Sequence, residues 1–248
     1  MEAGSRCAVI TGGAQGIGRA LAEELLRNQY KVCILDMNKD AGEKAQTELN
    51  KAFGDGSIFF FACDVTKNSD LESAVELCIE SLGRIDVFVN NAGIVNEYNP
   101  SLTVSVNLTA VIQACGIVTE HMRKDKGGSG GTIINVSSIA GLVSLPFIPI
   151  YCATKSGVLS YTKAVAKQAE IAAQGITLSC ICPGFTDTAF VQNLEDKMPD
   201  FSTAHKAIEH TGLLKVKAVT DGILKLIKDQ KNGSILKVSA NGADYVPE

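Results

Sequence analysis

Tyr151 and Lys155 stand four residues apart in YCATK, a spacing that on a helix sets a phenol and an ammonium on the same face. The chemistry open to such a pair is proton transfer to or from an alcohol oxygen. A free phenol has a pKa of about 10 and stays protonated at neutral pH, but a neighbouring cation favours its phenolate, and each tenfold gain in the phenolate fraction is worth roughly 1.4 kcal/mol. Ser138 lies thirteen residues before Tyr151, after the apolar run TIINV, so its hydroxyl falls at the carboxyl end of a strand. There it can orient a reacting oxygen and stabilise developing charge; Ser137 beside it is the competing assignment. Asn107, in VSVNL, falls within a helical stretch, where alone it reads as a cap or an interruption.

A second set of residues points to a dinucleotide. The run at residues 7–10 leads into TGGAQGIG, residues 11–18, and then into a helical pattern starting near Ile17. Gly12 permits a tight turn, Gly16 lets the backbone approach a pyrophosphate, and Gly18 allows helix to pack closely on strand, with Gln15 and Ile17 in the same turn and helix start. The second strand ends in KVCILD, eighteen residues after Gly18, and its Asp36 can accept from both ribose hydroxyls while repelling a 2′-phosphate. Met37 adds no positive charge, and Arg19, which could, sits inside the first helix, so NAD(H) is expected over NADP(H). Cys63, Asp64 and Val65 close the third strand, where Asp64 can receive an adenine amino group and Val65 can pack on the ring. Asn91, Ala92 and Gly93 close the fourth, and Gly93 leaves room for a cofactor. All lie at carboxyl ends of strands, where open parallel sheets bind ligands.

The elements that must position these residues follow from periodicity. Seven short apolar runs, at residues 7–10, 32–35, 58–62, 87–89, 132–136, 177–181 and 234–238, alternate with helical patterns such as Ile17, Ala20, Leu21, Leu25 and Leu71, Ala74, Val75, Cys78. The alternation predicts an α/β fold of one domain over residues 1–248: a Rossmann-type, doubly wound, seven-stranded parallel sheet with helices on both faces. Two segments break the rhythm. Residues 124–131 (KDKGGSGG) are a polar surface connection, and residues 186–217, with Pro199, Phe190, Leu194, Met198 and Phe201, are long enough to form a lid over a substrate.

A formal net charge of −4 with interspersed signs offers no basic stripe, so nucleic acid is not an expected partner. The N-terminal region lacks the apolar core of a signal peptide, and no uninterrupted apolar run reaches the length of a membrane span; a soluble, cytoplasmic protein is expected. Eight scattered cysteines without a CxxC pair read as reduced core residues, and the three histidines lie at no metal-ligand spacing.

In order and spacing, TGGAQGIG, Asp64, NNAG, Asn107, Ser138, Tyr151, Lys155 and PGFTDT resemble the short-chain dehydrogenase/reductase family over essentially the whole chain. The resemblance implies an NAD-linked alcohol dehydrogenase or ketone reductase. Tyr151 is then the base, Lys155 also holds the nicotinamide ribose, Asn107 fixes a water that links Lys155 to solvent, and Ser138 bonds the substrate oxygen. Pro183 and Gly184 would flank the nicotinamide, with either Thr186 or Thr188 touching its carboxamide or the phosphates. A non-catalytic NAD sensor on the same fold is the alternative, although such a protein should have lost part of this tetrad. Within the family the chain resembles the NAD-dependent 15-hydroxyprostaglandin dehydrogenase branch, through AQGIGRALAEELL, SSIAGL, YCATKSG and ICPGF. That branch carries glutamine three residues before the tyrosine, where this chain has Ile148. The expected substrate wall is apolar: Leu145, Phe147, Ile148, Phe185 and Phe190 beside Ser138 and Tyr151, with Leu142, Val143, Val191 and Leu194 near by. It suits a hydrophobic secondary alcohol or ketone of lipid or steroid metabolism, whether steroid, terpenoid, fatty or prostaglandin-like. The resemblance also implies a homodimer or homotetramer.

Overall fold

A computed structural model describes residues 5–247. Three βα units open the chain: β1 (Cys7–Thr11) with α1 (Gly16–Arg27), β2 (Lys31–Asp36) with α2 (Lys39–Phe53), and β3 (Ile58–Ala62) with α3 (Asn68–Leu82). β4 (Val87–Asn90) leads into a continuous helical rod made of α4 (Pro100–Val104), a π-helical turn (Ser105–Thr109) and α5 (Ala110–Met122). β5 (Gly131–Val136), α6 (Pro149–Ala166), α7 (Ala169–Ala173) and β6 (Ile176–Pro183) follow, then α8 (Ala189–Gln192), α9 (Phe201–Thr211), α10 (Val216–Asp229), β7 (Ile235–Ser239) and β8 (Gly242–Tyr245).

The strands form one sheet in the order β3-β2-β1-β4-β5-β6-β7-β8. Successive strand residues face opposite sides, and both sides are covered. Val9, Phe88, Ile133 and Leu178 meet α3, α5 and α6, whereas Ile10, Val89, Ile134 and Leu236 meet α1, α2 and α10. Two-sided burial explains why these strands read as unbroken apolar runs. The seven expected strands pair in parallel, but the sheet has an eighth. β8 runs antiparallel to β7 in the register Leu236↔Tyr245 and Val238↔Ala243. Its sequence, GADY, is largely exposed and lacks the apolar run by which a strand is recognised.

From β1 the chain adds β2 and β3 on one side and then crosses back to place β4 on the other, so a crevice opens between the carboxyl ends of β1 and β4. The glycine-rich turn and NNAG sit on its two banks. The rod shows what sequence periodicity left out. Residues Pro100–Met122 are long and apolar enough to cross a membrane, although no apolar run there is uninterrupted. Here the rod is a core helix: Val111, Ala114, Cys115 and Val118 pack against Leu71, Val75 and Cys78 of α3. Residues 124–131 form a mostly exposed connection opened by a short 3-10 turn.

Candidate active site

The nucleotide bank is set by backbone geometry. Gly12 and Gly16 have φ of 63° and 57°, the left-handed region that favours glycine, and a Cβ on Gly18 would lie 2.2 Å from the Gly12 carbonyl oxygen. The turn is clamped from β4: Asn91 Nδ2 donates to the carbonyl oxygens of Thr11 and Gly12, both at 2.9 Å. In return Thr11 Oγ1 accepts from the N–H groups of Asn91 (3.0 Å) and Ala92 (3.1 Å). Asp36 is fixed at the rim, where Oδ2 accepts from Ala14 N–H at 3.1 Å and Oδ1 from Asn38 N–H at 3.0 Å. Asp64 is held by the Thr66 hydroxyl (2.7 Å) and N–H (3.1 Å), and the hydroxyl bond above all keeps its pKa below the usual carboxylate range. Arg19, the one cation of α1 near this turn, is turned away to Glu48 at 2.6 Å and Glu23 at 3.7 Å.

The reacting bank is built from β5 and α6. Tyr151 and Lys155 are buried on one face of α6, with Lys155 Nζ 5.5 Å from the centre of the Tyr151 ring and donating to the Val136 carbonyl oxygen at 2.9 Å. Burial pushes the Tyr151 phenol above its ordinary value of 10, while the nearby Ser138 hydroxyl, which donates to the Pro183 carbonyl oxygen at 3.4 Å, acts the other way. Burial pulls Lys155 down to about 8. Ser138 Oγ accepts from Ala140 N–H at 3.2 Å. Ser137, by contrast, is buried and donates to the Lys155 carbonyl oxygen at 2.9 Å, a bond that braces α6 against β5. Asn107 sits at the centre of the π-helical turn, fully buried, with Oδ1 accepting from Ile94 N–H and Nδ2 donating to Ile94 O, both at 2.8 Å. A Cβ on Gly93 would meet Asn107 Oδ1 and Lys155 Nζ, each at 3.4 Å, so both side chains converge on the gap this glycine leaves.

Both banks line one cleft of about 620 Å³. Around it stand Gly12, Gln15, Gly16, Ile17, Asp36, Met37, Cys63, Asp64, Val65, Asn91, Ala92, Gly93, Pro183, Gly184, Thr186 and Thr188 on the nucleotide side. Ser138, Leu145, Phe147, Ile148, Tyr151, Lys155, Phe185, Phe190, Val191 and Leu194 line the remainder. Gly18 and Asn107 lie one layer behind this wall, Leu142 packs into the main core, and Val143 points to solvent. Thr188 faces the glycine turn, its methyl 3.6 Å from where a Gly16 Cβ would be, whereas Thr186 is buried and donates to Gly184 O. Two residues at the site carry no local sequence signal: Lys197, which lines the cleft, and Glu97, whose carboxylate meets α6.

The cleft combines a glycine turn at a helix start, an acid fixed by main-chain donors and a buried Tyr-Lys pair, an arrangement that could hold a dinucleotide. A family model for short chain dehydrogenases matches residues 6–199. The chain belongs to the short-chain dehydrogenase family. As a member it is an NAD(P)-dependent dehydrogenase or reductase. It is 36% identical to the mouse (Mus musculus) protein 15-hydroxyprostaglandin dehydrogenase [NAD(+)], over 97% of this chain and 92% of that one. Levodione reductase shares the fold with a TM-score of 0.85 at 23% identity, covering 96% of this chain and 97% of that one. The 3-ketoacyl-(acyl-carrier-protein) reductase of Brucella melitensis, solved with NADH, superposes with a TM-score of 0.82 at 26% identity, over 95% of this chain and 97% of that one.

Proposed function

We propose that this dehydrogenase moves a hydride between NAD(H) and a hydrophobic secondary alcohol or its ketone, with Tyr151 as the acid-base residue. The observation that carries the proposal is where Tyr151 stands. Its phenol lies at the seam between the polar, glycine-lined half of the cleft and an apolar chamber formed by Phe147, Ile148, Phe185, Leu194 and Met198. NAD supplies the hydride acceptor or donor when bound. Ser138 holds the substrate oxygen, and Tyr151 takes the hydroxyl proton in oxidation or returns it in reduction. Lys155 favours the phenolate by its charge and holds the nicotinamide ribose. Asn107, beside Lys155 across Gly93, anchors the water through which that lysine exchanges protons. Asp36 supports NAD over NADP: its two oxygens are already aimed and fixed by main-chain donors, and Arg19 is engaged elsewhere.

Segment 186–217 is the lid of the chamber. It carries α8, a 3-10 turn (Glu195–Lys197) and α9, and buries Leu194, Met198 and Ala204 in the same cluster as Phe147, Ile148 and Tyr151. Lys197, exposed on this lid where it lines the cleft, has no carboxylate within ion-pair distance among the described residues and is the cation that would meet an anionic tail of an apolar substrate. The eight buried, unpaired cysteines support a reducing compartment such as the cytoplasm. The test is initial-rate absorbance of reduced nicotinamide with NAD⁺ and NADP⁺ over 12-hydroxystearate, prostaglandin E2, androsterone and menthol. NAD-linked oxidation, fastest for the two carboxylates, is expected. Turnover confined to NADP⁺ would contradict the Asp36 reading, and preference for menthol would contradict the substrate reading.

A further inference from the structure

Glu97 lies in the loop after β4 and is 9% exposed, yet its carboxylate is not idle. Oε2 accepts from Ile150 N–H at 3.0 Å, and Oε1 accepts from Tyr151 N–H at 2.9 Å. These are the first orphaned donors of α6, because its N-cap is Ile148, which has no capping side chain, and Pro149 has no N–H. The cap therefore comes from a residue more than fifty positions away, and its negative charge suits the positive end of the helix. Glu97 is held on its other side as well. Its own N–H donates to the Lys197 carbonyl oxygen at 2.8 Å, in the 3-10 turn of segment 186–217. One position earlier, the Asn96 carbonyl oxygen accepts from Thr103 Oγ1 at 2.7 Å, which ties the loop to α4.

We propose that Glu97 is a positioning residue for Tyr151: it fixes the turn of α6 that carries the phenol and links that turn to the seating of the lid. The proposal rests on the reading of Tyr151 as the acid-base residue. Ile150 and Tyr151 would otherwise take a cap from water, and the first turn of a helix capped only by water frays. A reacting group displaced by about 1 Å can cost about a hundredfold in rate. Glu97→Gln keeps the length of the side chain but sets an NH₂ against one of the two N–H donors; Glu97→Ala leaves both without a partner.

The experiment is steady-state kinetics on the panel alcohol that the wild type oxidises fastest, with NADH affinity followed by fluorescence and melting followed in parallel. The expected result is a kcat lower by about tenfold in Glu97→Gln and about a hundredfold in Glu97→Ala, at near-constant NADH affinity and KM. In a Tyr151→Phe background, Glu97→Gln should cause no further loss of the residual rate, since both changes act through one phenol. Wild-type kcat in Glu97→Gln overturns the proposal, as does a fully additive loss with Tyr151→Phe. A parallel fall of kcat and NADH affinity in step with melting temperature also overturns it, because that marks a general scaffold role. Should Glu97→Ala not fold, Glu97→Gln decides. If Tyr151→Phe itself retains turnover, the base assignment fails, whatever the Glu97 variants do.

Discussion

A lysine whose ammonium is fully buried must give up either its water shell or its proton, and Lys155 is accordingly held down to about 8. Its pKa is lower folded than unfolded, so between about pH 8 and 10.4 the unfolded chain binds the extra proton and stability rises with pH. Below that window the full cost remains, on the order of 3 kcal/mol. Tyr151, raised by burial, acts oppositely, but only above pH 10. Lys155→Met is therefore expected to melt several degrees above the wild type at pH 7, with the gap narrowing by pH 9.5. Melting curves across that range check it, and a gap independent of pH would refute the burial argument. Asp36 has a separate consequence. Replacing it by alanine removes the acid that faces a 2′-phosphate and should raise the NADP⁺/NAD⁺ ratio of kcat/KM by about tenfold or more. An unchanged ratio would move the basis of selectivity away from Asp36.

Helices and strands are readable in the sequence where burial leaves a period. The seven parallel strands are covered on both faces and show as apolar runs; β8 is an exposed antiparallel edge and shows nothing. The glycine turn is readable because its geometry excludes side chains. Gly18→Ala would drive a Cβ against the Gly12 carbonyl oxygen, a backbone atom that cannot step aside. A loss of about 1–3 kcal/mol in stability is expected, with weaker NADH binding, by denaturant titration and fluorescence. Of the residues proposed as catalytic, Tyr151, Lys155 and Ser138 are readable from spacing and Asn107 only through the family resemblance, but the means of holding them is not readable. Asn107 occupies a π-helical turn and is fixed by Ile94, and no residue type announces such a turn. Glu97 sits in an ordinary polar loop, NEYNP, and gains its meaning only from α6 and from segment 186–217, which the fold brings to it. Lys197 likewise lines the cleft only once that segment has packed.

Across the molecule, one cleft gathers both signs of charge, Asp36 and Asp64 with Lys155 and Lys197. The rod turns Leu102, Val104 and Ile112 outward, and Tyr98 precedes it, an apolar strip that suits the homodimer or homotetramer implied by the family. Light scattering on the purified chain should give a dimer or tetramer, and a monomer at micromolar concentration would remove that expectation. What joins charge, fold and the proposed chemistry is the Tyr151 phenol, which lines that cleft beside the apolar cluster of Phe147, Ile148 and Leu194. The decisive comparison is wild type against Tyr151→Phe, in NAD-linked oxidation of the best panel alcohol, with NADH binding measured on both. Retained NADH affinity with turnover reduced by about a thousandfold or more is expected for loss of the acid-base residue. A Tyr151→Phe enzyme that binds NADH and turns over within tenfold of the wild type would contradict the role given to Tyr151.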